Sequence, residues 1–283
     1  MKTVRIGADS VPAIGQGTYQ MGSDPVSRGT EVAALRYGIE QGLTLIDTAE
    51  MYADGGAEQV VGEAVSGIRD RVFLVTKVWP PHMSANGIRR ALEASLRRLR
   101  VDQVDLYLLH WPSQEHPIQE SLEGLAAIHQ AGLARYVGIS NFPTPHLKEA
   151  MTLFPSGTAI AADQVEYHLL NRRAETALIP YARERHVAIM AYSPVKDLRQ
   201  LSSADPRIQV LQGIAEHHGA TIESAALAYL IGAGPVVAIP KAVGRAHIDA
   251  NRAALDLTLT EEDRRAIAAA FPRNDEELPF HAL

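Results

Sequence analysis

Val72-Phe73-Leu74-Val75-Thr76 runs into Lys77, Ser84 to Arg100 carries apolar residues at helical spacing, and Val104-Asp105-Leu106-Tyr107-Leu108-Leu109 runs into His110. The first and third stretches are short, apolar and end at a polar group, as parallel strands covered on both faces do. The middle stretch opens on a serine suited to capping and closes on Arg97-Arg98-Leu99-Arg100, cations that favour a helix C-terminus. We read that run as a helix end, not as an anion site. Strand, helix and strand together predict a β-α-β unit.

The unit repeats in both directions. Upstream, Thr44-Leu45-Ile46 ends at Asp47, behind a helix from Thr30 to Gln41 with Thr30 as its cap candidate, and Pro12-Ala13-Ile14-Gly15 is the candidate first strand. Downstream, Tyr136-Val137-Gly138-Ile139 ends at Ser140, Ala159-Ile160-Ala161-Ala162-Asp163 at Gln164, Val187-Ala188-Ile189-Met190-Ala191 at Tyr192, and Val236-Val237-Ala238-Ile239 at Pro240 and Lys241. Further helices are expected over Ser121 to Gln130, 173–185, 208–218 and 222–231. The alternation predicts an α/β fold, a (β/α)8 TIM barrel forming one domain over residues 1–283; such barrels run to about 250 residues. Ahead of it, Val4-Arg5-Ile6, then Gly7-Ala8-Asp9-Ser10, then Val11 predict a short N-terminal β-hairpin plugging the barrel floor.

Composition narrows the function. Hydrophobic residues are 46% and charged residues 21% of 283, ordinary for a soluble globular protein. With 27 basic and 33 acidic residues the formal net charge is -6, which argues against nucleic acid as a partner. No apolar run is long enough to span a membrane, and Met1 to Asp9 lacks the apolar core of a signal peptide, so a cytoplasmic location is expected. The absence of cysteine excludes disulfides, thiolate metal sites and a cysteine nucleophile. The His217-His218 pair reads as solvated surface.

Active sites of such barrels lie at the carboxyl ends of the strands. There the apolar runs end in Asp47, Lys77, His110, Asn141, Gln164, Tyr192 and Lys241. Any one of these has a bland reading: an aspartate after a strand is most often a helix cap, a lysine a solvated group, a histidine a satisfied core residue. Seven on one face are harder to explain that way, because buried charge is costly unless paired. One histidine and one aspartate are too few for a metal site, and no Gly-x-Ser-x-Gly elbow marks a hydrolase. Tyr52 follows Asp47 in the same loop. A free tyrosine has a pKa of about 10, and a neighbouring ammonium lowers it. The expected device is a phenol tuned by Lys77, itself held by Asp47, able to protonate a developing alkoxide, with His110 as a second donor.

The chain resembles the aldo-keto reductases from Gly15-Gln16-Gly17-Thr18 to Asn251. The resemblance rests on Leu45-Ile46-Asp47-Thr48-Ala49 with Tyr52 and Gly62-Glu63-Ala64, on Asp105-Leu106-Tyr107-Leu108-Leu109-His110-Trp111-Pro112, and on Gly138-Ile139-Ser140-Asn141-Phe142. Glu50-Met51-Tyr52-Ala53-Asp54-Gly55-Gly56-Ala57-Glu58 is similar to a bacterial subgroup that includes methylglyoxal reductases. The resemblance implies reduction of aldehydes or ketones by hydride from NADPH, with NADH as a second cofactor, and a catalytic tetrad of Asp47, Tyr52, Lys77 and His110. It also implies that Ser140, Asn141 and Gln164 hold the carboxamide, that Tyr192 stacks on the nicotinamide, that Lys241 faces the 2′-phosphate with Arg245 nearby, and that Asn251 faces the adenine. The family uses no Rossmann fold, and Gly15-x-Gly17-x-x-x-x-Gly22 lacks dinucleotide-fingerprint spacing.

Three departures bear on that cofactor segment. Ala242 follows Lys241 where the family usually has serine, and His247 and Ala250 stand where it has arginine and glutamate, so preference for NADPH should be weaker than usual. Tyr19, Trp79 and Trp111 lie just past strand ends and are expected to wall the substrate pocket. The short stretches after Tyr192 and from Phe271 imply an open pocket. Expected substrates are small or aromatic aldehydes and α-dicarbonyls such as methylglyoxal. No metal is expected, and the chain is expected to be a monomer or a weak homo-oligomer. A second reading, a nucleotide-binding regulatory subunit of the same fold with slow turnover, is disfavoured by the intact tetrad and by a chain barely longer than a barrel.

Overall fold

The structure is a computed structural model that describes residues 1–155 and 159–273. Most of the tail counted from Phe271 therefore lies outside the described residues. Strands β1 (Thr3–Ile6) and β2 (Asp9–Pro12) pair antiparallel in the expected hairpin. Its turn packs on the start of β7 (Ala134–Ser140): the Ala8 N–H donates to the Tyr136 hydroxyl at 3.1 Å, and Asp9 pairs with Arg135 at 2.7 Å. The hairpin thus covers the amino-terminal end of the strands, opposite the end where the polar residues gather.

The remaining strands form one parallel eight-stranded sheet in chain order. They are β3 (Gln16–Gly17), β4 (Leu45–Asp47), β5 (Phe73–Val78), β6 (Val104–Leu109), β7, β8 (Ile160–Glu166), β9 (Ala188–Tyr192) and β10 (Val236–Ala238). The sheet closes on itself. Ile14 bridges Ala238, the Gly15 N–H donates to the Ala238 carbonyl at 2.8 Å, and the Gly17 N–H donates to the Pro240 carbonyl at 3.1 Å. Every residue of β5 and β6 is buried, as expected for strands enclosed by side chains inside the barrel and by helices outside. Pro12 belongs to the hairpin and not to the first barrel strand; lacking an N–H, it sits at the end of a ladder where none is needed.

Helices α1 (Arg28–Glu40), α2 (Gly56–Val65), α3 (Ala85–Leu99), α4 (Ile118–Gln130), α5 (Thr144–Leu153), α6 (Leu178–Glu184), α7 (Pro206–His217), α8 (Ile222–Leu230), α9 (Arg245–Ala253) and α10 (Glu261–Ala270) follow or flank the strands. Ser84 caps α3 by accepting the Gly87 N–H at 3.1 Å. Thr30 caps nothing, because α1 begins two residues earlier with Ser27 at its N-cap. Helix α4 begins three residues before Ser121, directly after Pro117. The expected helix over 173–185 is split into a 3-10 turn, Arg173–Glu175, and α6, whose third residue is Pro180. Proline lacks the N–H that a continuous helix needs there, but an N-terminal turn tolerates it. His218 is not simply solvated: it bonds Asp263 at 2.9 Å, linking the end of α7 to α10. No helix among the described residues is long and apolar enough to cross a membrane.

Candidate active site

The strand ends deliver their polar residues to one cavity of about 650 Å³. Asp47 ends β4, Lys77 is the penultimate residue of β5, and His110 follows β6 directly. Ser140 ends β7 with Asn141 after it, Gln164 lies in β8, Tyr192 ends β9, and Lys241 stands three residues past β10. All of these except Lys77 line the cavity, together with Tyr52, Tyr19 and Trp111. Lys77 is beneath them and fully buried.

At the cavity floor the Lys77 Nζ donates to Asp47 Oδ2 at 2.7 Å, to the Thr48 carbonyl at 2.9 Å and to the Tyr52 hydroxyl at 3.1 Å. The second Asp47 oxygen accepts from Gln164 Nε2 at 2.7 Å. Burial alone would lower Lys77, but Asp47 and Tyr52 more than offset it and hold the ammonium above its ordinary range. Burial raises the Asp47 carboxyl against the opposing pull of Lys77 and Gln164. Tyr52 corrects the expectation from sequence: burial raises its phenol above the ordinary value, and the Lys77 charge opposes this without reversing it. A charge created where protein replaces much of the solvent costs more than one counter-ion, already engaged by Asp47, returns.

His110 stands edge-on to Tyr52 with ring centroids 5.6 Å apart, and to Trp111 at 4.2 Å. Burial, helped by the Lys77 charge, holds its imidazole well below the usual histidine range, so the ring is neutral. On the far wall Asn141 adopts a left-handed backbone, φ 64°, and its amide donates to the His110 carbonyl at 3.0 Å while accepting from the Tyr192 hydroxyl at 3.0 Å. Ser140 Oγ donates to the Gln164 carbonyl at 2.8 Å. Gln164 therefore supports Asp47 from within the site, a role that strand-end position alone did not reveal.

Trp79, the remaining aromatic expected in the pocket, lines a neighbouring cleft of about 600 Å³ with Glu50 and His82. Its backbone N–H donates to Glu50 Oε1 at 2.6 Å, and Met51 lines both cavities. Arg245 and Asn251 lie on α9, outside the cavity lining. Arg245 rests over the Tyr37 ring at 4.5 Å, and the Tyr37 hydroxyl donates to Asp249 at 2.7 Å. Sequence reasoning did not single out Lys196, a cavity cation paired with Glu166 at 2.7 Å. The signal was available: a lysine four residues past Tyr192, at the catalytic end of the barrel.

A closed β/α barrel with a buried carboxylate–ammonium pair bonded to a phenol in a cavity, beside a neutral imidazole, is the framework of an acid–base enzyme. A model of the Aldo/keto reductase family matches residues 13–271, and the chain belongs to that family. It is 43% identical over 272 residues to methylglyoxal reductase YeaE of Escherichia coli K12, covering 96% of this chain and 95% of that one. It is 33% identical to methylglyoxal reductase DkgB of Escherichia coli O157:H7, covering 92% and 93%. An aldo/keto reductase from Klebsiella pneumoniae, solved with NADP and acetate, superimposes with a TM-score of 0.93 at 41% identity, over 100% of this chain and 99% of that one.

Proposed function

We propose that this protein is an NADPH-dependent carbonyl reductase that converts small or aromatic aldehydes and α-dicarbonyls, methylglyoxal among them, to alcohols, with Tyr52 as the general acid. The observation that carries the reading is the Asp47–Lys77–Tyr52 hydrogen-bonded chain at the cavity floor. NADPH, when bound, supplies a hydride to the carbonyl carbon. The residues fit such a cofactor: Ser140, Asn141, Gln164 and Tyr192 share one cavity with Tyr52 and the exposed Lys241, amides and hydroxyls for a carboxamide and a cation for a phosphate.

Tyr52 gives its proton to the carbonyl oxygen as that oxygen gains the electron pair, leaving a phenolate beside the Lys77 ammonium. The raised pKa of Tyr52 keeps the proton in place until then. Neutral His110 offers a hydrogen bond that orients the carbonyl without placing a second positive charge beside Lys77. Trp111 and Tyr19 give the substrate end of the cavity its aromatic wall. That two relatives are named methylglyoxal reductases supports the choice of small dicarbonyls.

The test is a steady-state comparison of methylglyoxal, 4-nitrobenzaldehyde and a ketosteroid with NADPH. The first two are expected to show the higher kcat/KM. Cofactor binding without turnover would replace the reading with a regulatory nucleotide-binding subunit, and a steroid preference would overturn the substrate class.

A further inference from the structure

We infer that Glu58, through Thr76 and Arg98, is a positioning residue that holds Tyr52 against Lys77 from behind the sheet; the inference rests on Tyr52 being the acid. Side chains alternate along a strand, so while Lys77 of β5 enters the barrel, Thr76 points outward to the helices. There the Thr76 hydroxyl donates to Glu58 Oε1 at 2.5 Å. The other oxygen of Glu58 accepts from Arg98 Nε at 2.6 Å, and Arg98 also donates to Ser95 Oγ at 3.1 Å. Glu58 is fully buried in the first turn of α2, a costly place for a carboxylate that only filled space.

The helix that Glu58 anchors begins with the turn that carries Tyr52. Ala53 (φ 50°, ψ 39°) and Asp54 (φ 51°, ψ 46°) are both left-handed, and Gly55 follows at φ 82°. Left-handed residues occur singly as a rule, and two successive ones with a Cβ persist only where the surroundings impose them. The surroundings here are Arg98 and Gly22. A Cβ on Gly55 would lie 2.5 Å from Arg98 Cδ, so the arginine seals the turn directly, and a Cβ on Gly22 would lie 2.3 Å from the Gly56 carbonyl carbon. One carboxylate thus ties the strand residue beside Lys77 to the arginine lying on the turn behind Tyr52. Glu58 thereby reaches a neighbour of each partner in the 3.1 Å Tyr52–Lys77 hydrogen bond, Thr76 next to Lys77 and Arg98 on the turn after Tyr52. Released from it, the strained turn relaxes and the phenol moves off its proton-transfer geometry.

Glu58→Gln, Thr76→Val and Thr76→Ser are compared with wild type and with Tyr52→Phe for kcat, KM, NADPH affinity and Tm. A displacement of about 1 Å at a reacting group costs as much as ~10²-fold, so Glu58→Gln is expected to lower kcat by roughly ten- to a hundredfold with KM and NADPH affinity little changed. Thr76→Val keeps the volume, loses the hydroxyl and should lower kcat in the same selective way. Thr76→Ser loses a methyl but keeps the hydroxyl and should recover most of kcat, although its packing is the poorer. A merely structural role predicts changes in Tm with kcat unmoved in all three variants, and that result would overturn the inference. If Glu58→Gln does not fold, the Thr76 pair decides alone. Activity retained by Tyr52→Phe would remove the acid reading itself. An inactive Tyr52→Phe beside fully active Glu58→Gln and Thr76→Val would remove only the clamp.

Discussion

Lys77 touches Tyr52 at 3.1 Å and Asp47 at 2.7 Å, so the ammonium that would face a phenolate, with Tyr52 as the proposed acid, is already engaged by a carboxylate. Its charge is partly spent before reaction, which is why burial prevails and Tyr52 remains a phenol. In the proposed mechanism, full attraction between Lys77 and Tyr52 develops only as the proton leaves, and interactions that grow in that way accelerate a reaction rather than merely bind its substrate.

Tyr52→Phe should separate binding from chemistry. The ring keeps its edge contacts, 5.3 Å to Tyr19 and 5.6 Å to His110, so the pocket wall survives. General acid catalysis contributes about 10²–10⁴-fold, and a loss of kcat of that size with NADPH affinity unchanged is expected. Activity within a few-fold of wild type would show that the proton comes from elsewhere.

The ion pair beneath Tyr52 makes a stability prediction with two arms. Lys77→Met leaves the buried Asp47 carboxylate without its cation, and breaking a buried pair in this way costs about 3–5 kcal/mol. Adding Asp47→Asn removes the stranded charge and should restore much of the stability while kcat stays low. Urea denaturation of wild type, single and double variants measures this. A double variant less stable than Lys77→Met would show that the cost is packing around the lysine stem and not the unpaired charge.

The barrel and the residues at its strand ends were legible because both depend on local pattern: a short apolar run, then one polar residue, repeated. Asp47, Lys77 and His110 lie at three such endings, and parallel register brings them together. Glu58 and Arg98 were not legible. Arg98 reads as one cation in a basic helix end, and its partner is 40 residues away on a helix that opens with Gly56, after Gly55, a start that looks like loop. Trp79 shows a different limit. It does follow a strand, but its backbone N–H is held by Glu50 and its ring belongs to the next cleft. Loop conformation decides where such a side chain goes, and no periodicity encodes it. The sign of the Tyr52 shift was hidden for a third reason, since it depends on how far burial outweighs a charge already shared with Asp47.

Two buried groups should give opposite pH signatures. His110 is held neutral when folded, whereas an unfolded histidine takes up a proton near pH 6.5. The unfolded state then binds more protons, so the contribution of His110 to stability is present above about pH 6.5 and lost as pH falls below it. Asp163, fully buried on β8, is held well above the usual carboxylate range, mainly by burial. Its contribution is present below about pH 3.9 and is lost as pH rises toward the folded pKa. Relative to wild type, His110→Gln should gain stability as pH drops from 7 to 5, and Asp163→Asn should gain it as pH climbs from 4 to 7. Denaturation midpoints across that range check both, and parallel curves for wild type and variant would refute the shift assigned to that residue.

Preference for NADPH over NADH must come from charge near the adenosine ribose, since the two cofactors differ by one phosphate far from the chemistry. Lys241 stands exposed at the end of the cavity, with no ion-pair or side-chain hydrogen-bond partner among the described residues. It is free to meet a phosphate as a point charge. Arg245 is less free, because its guanidinium rests on Tyr37, and Tyr37 in turn holds Asp249. Helix α9 begins at Arg245 with Gly244 at its N-cap and no side-chain cap, which leaves N–H groups able to receive an anion. A hydrogen bond to a charged group is worth about 1.5–3 kcal/mol, roughly ten- to a hundredfold in affinity. Lys241→Ala should weaken NADPH binding by about that factor and leave NADH nearly untouched, while Arg245→Ala, losing a stacked cation, should have the smaller effect. Trp111 lines the cavity, so quenching of tryptophan fluorescence reports both cofactors. Equal losses for NADPH and NADH in Lys241→Ala would show that Lys241 supports the cofactor as a whole and does not read the phosphate.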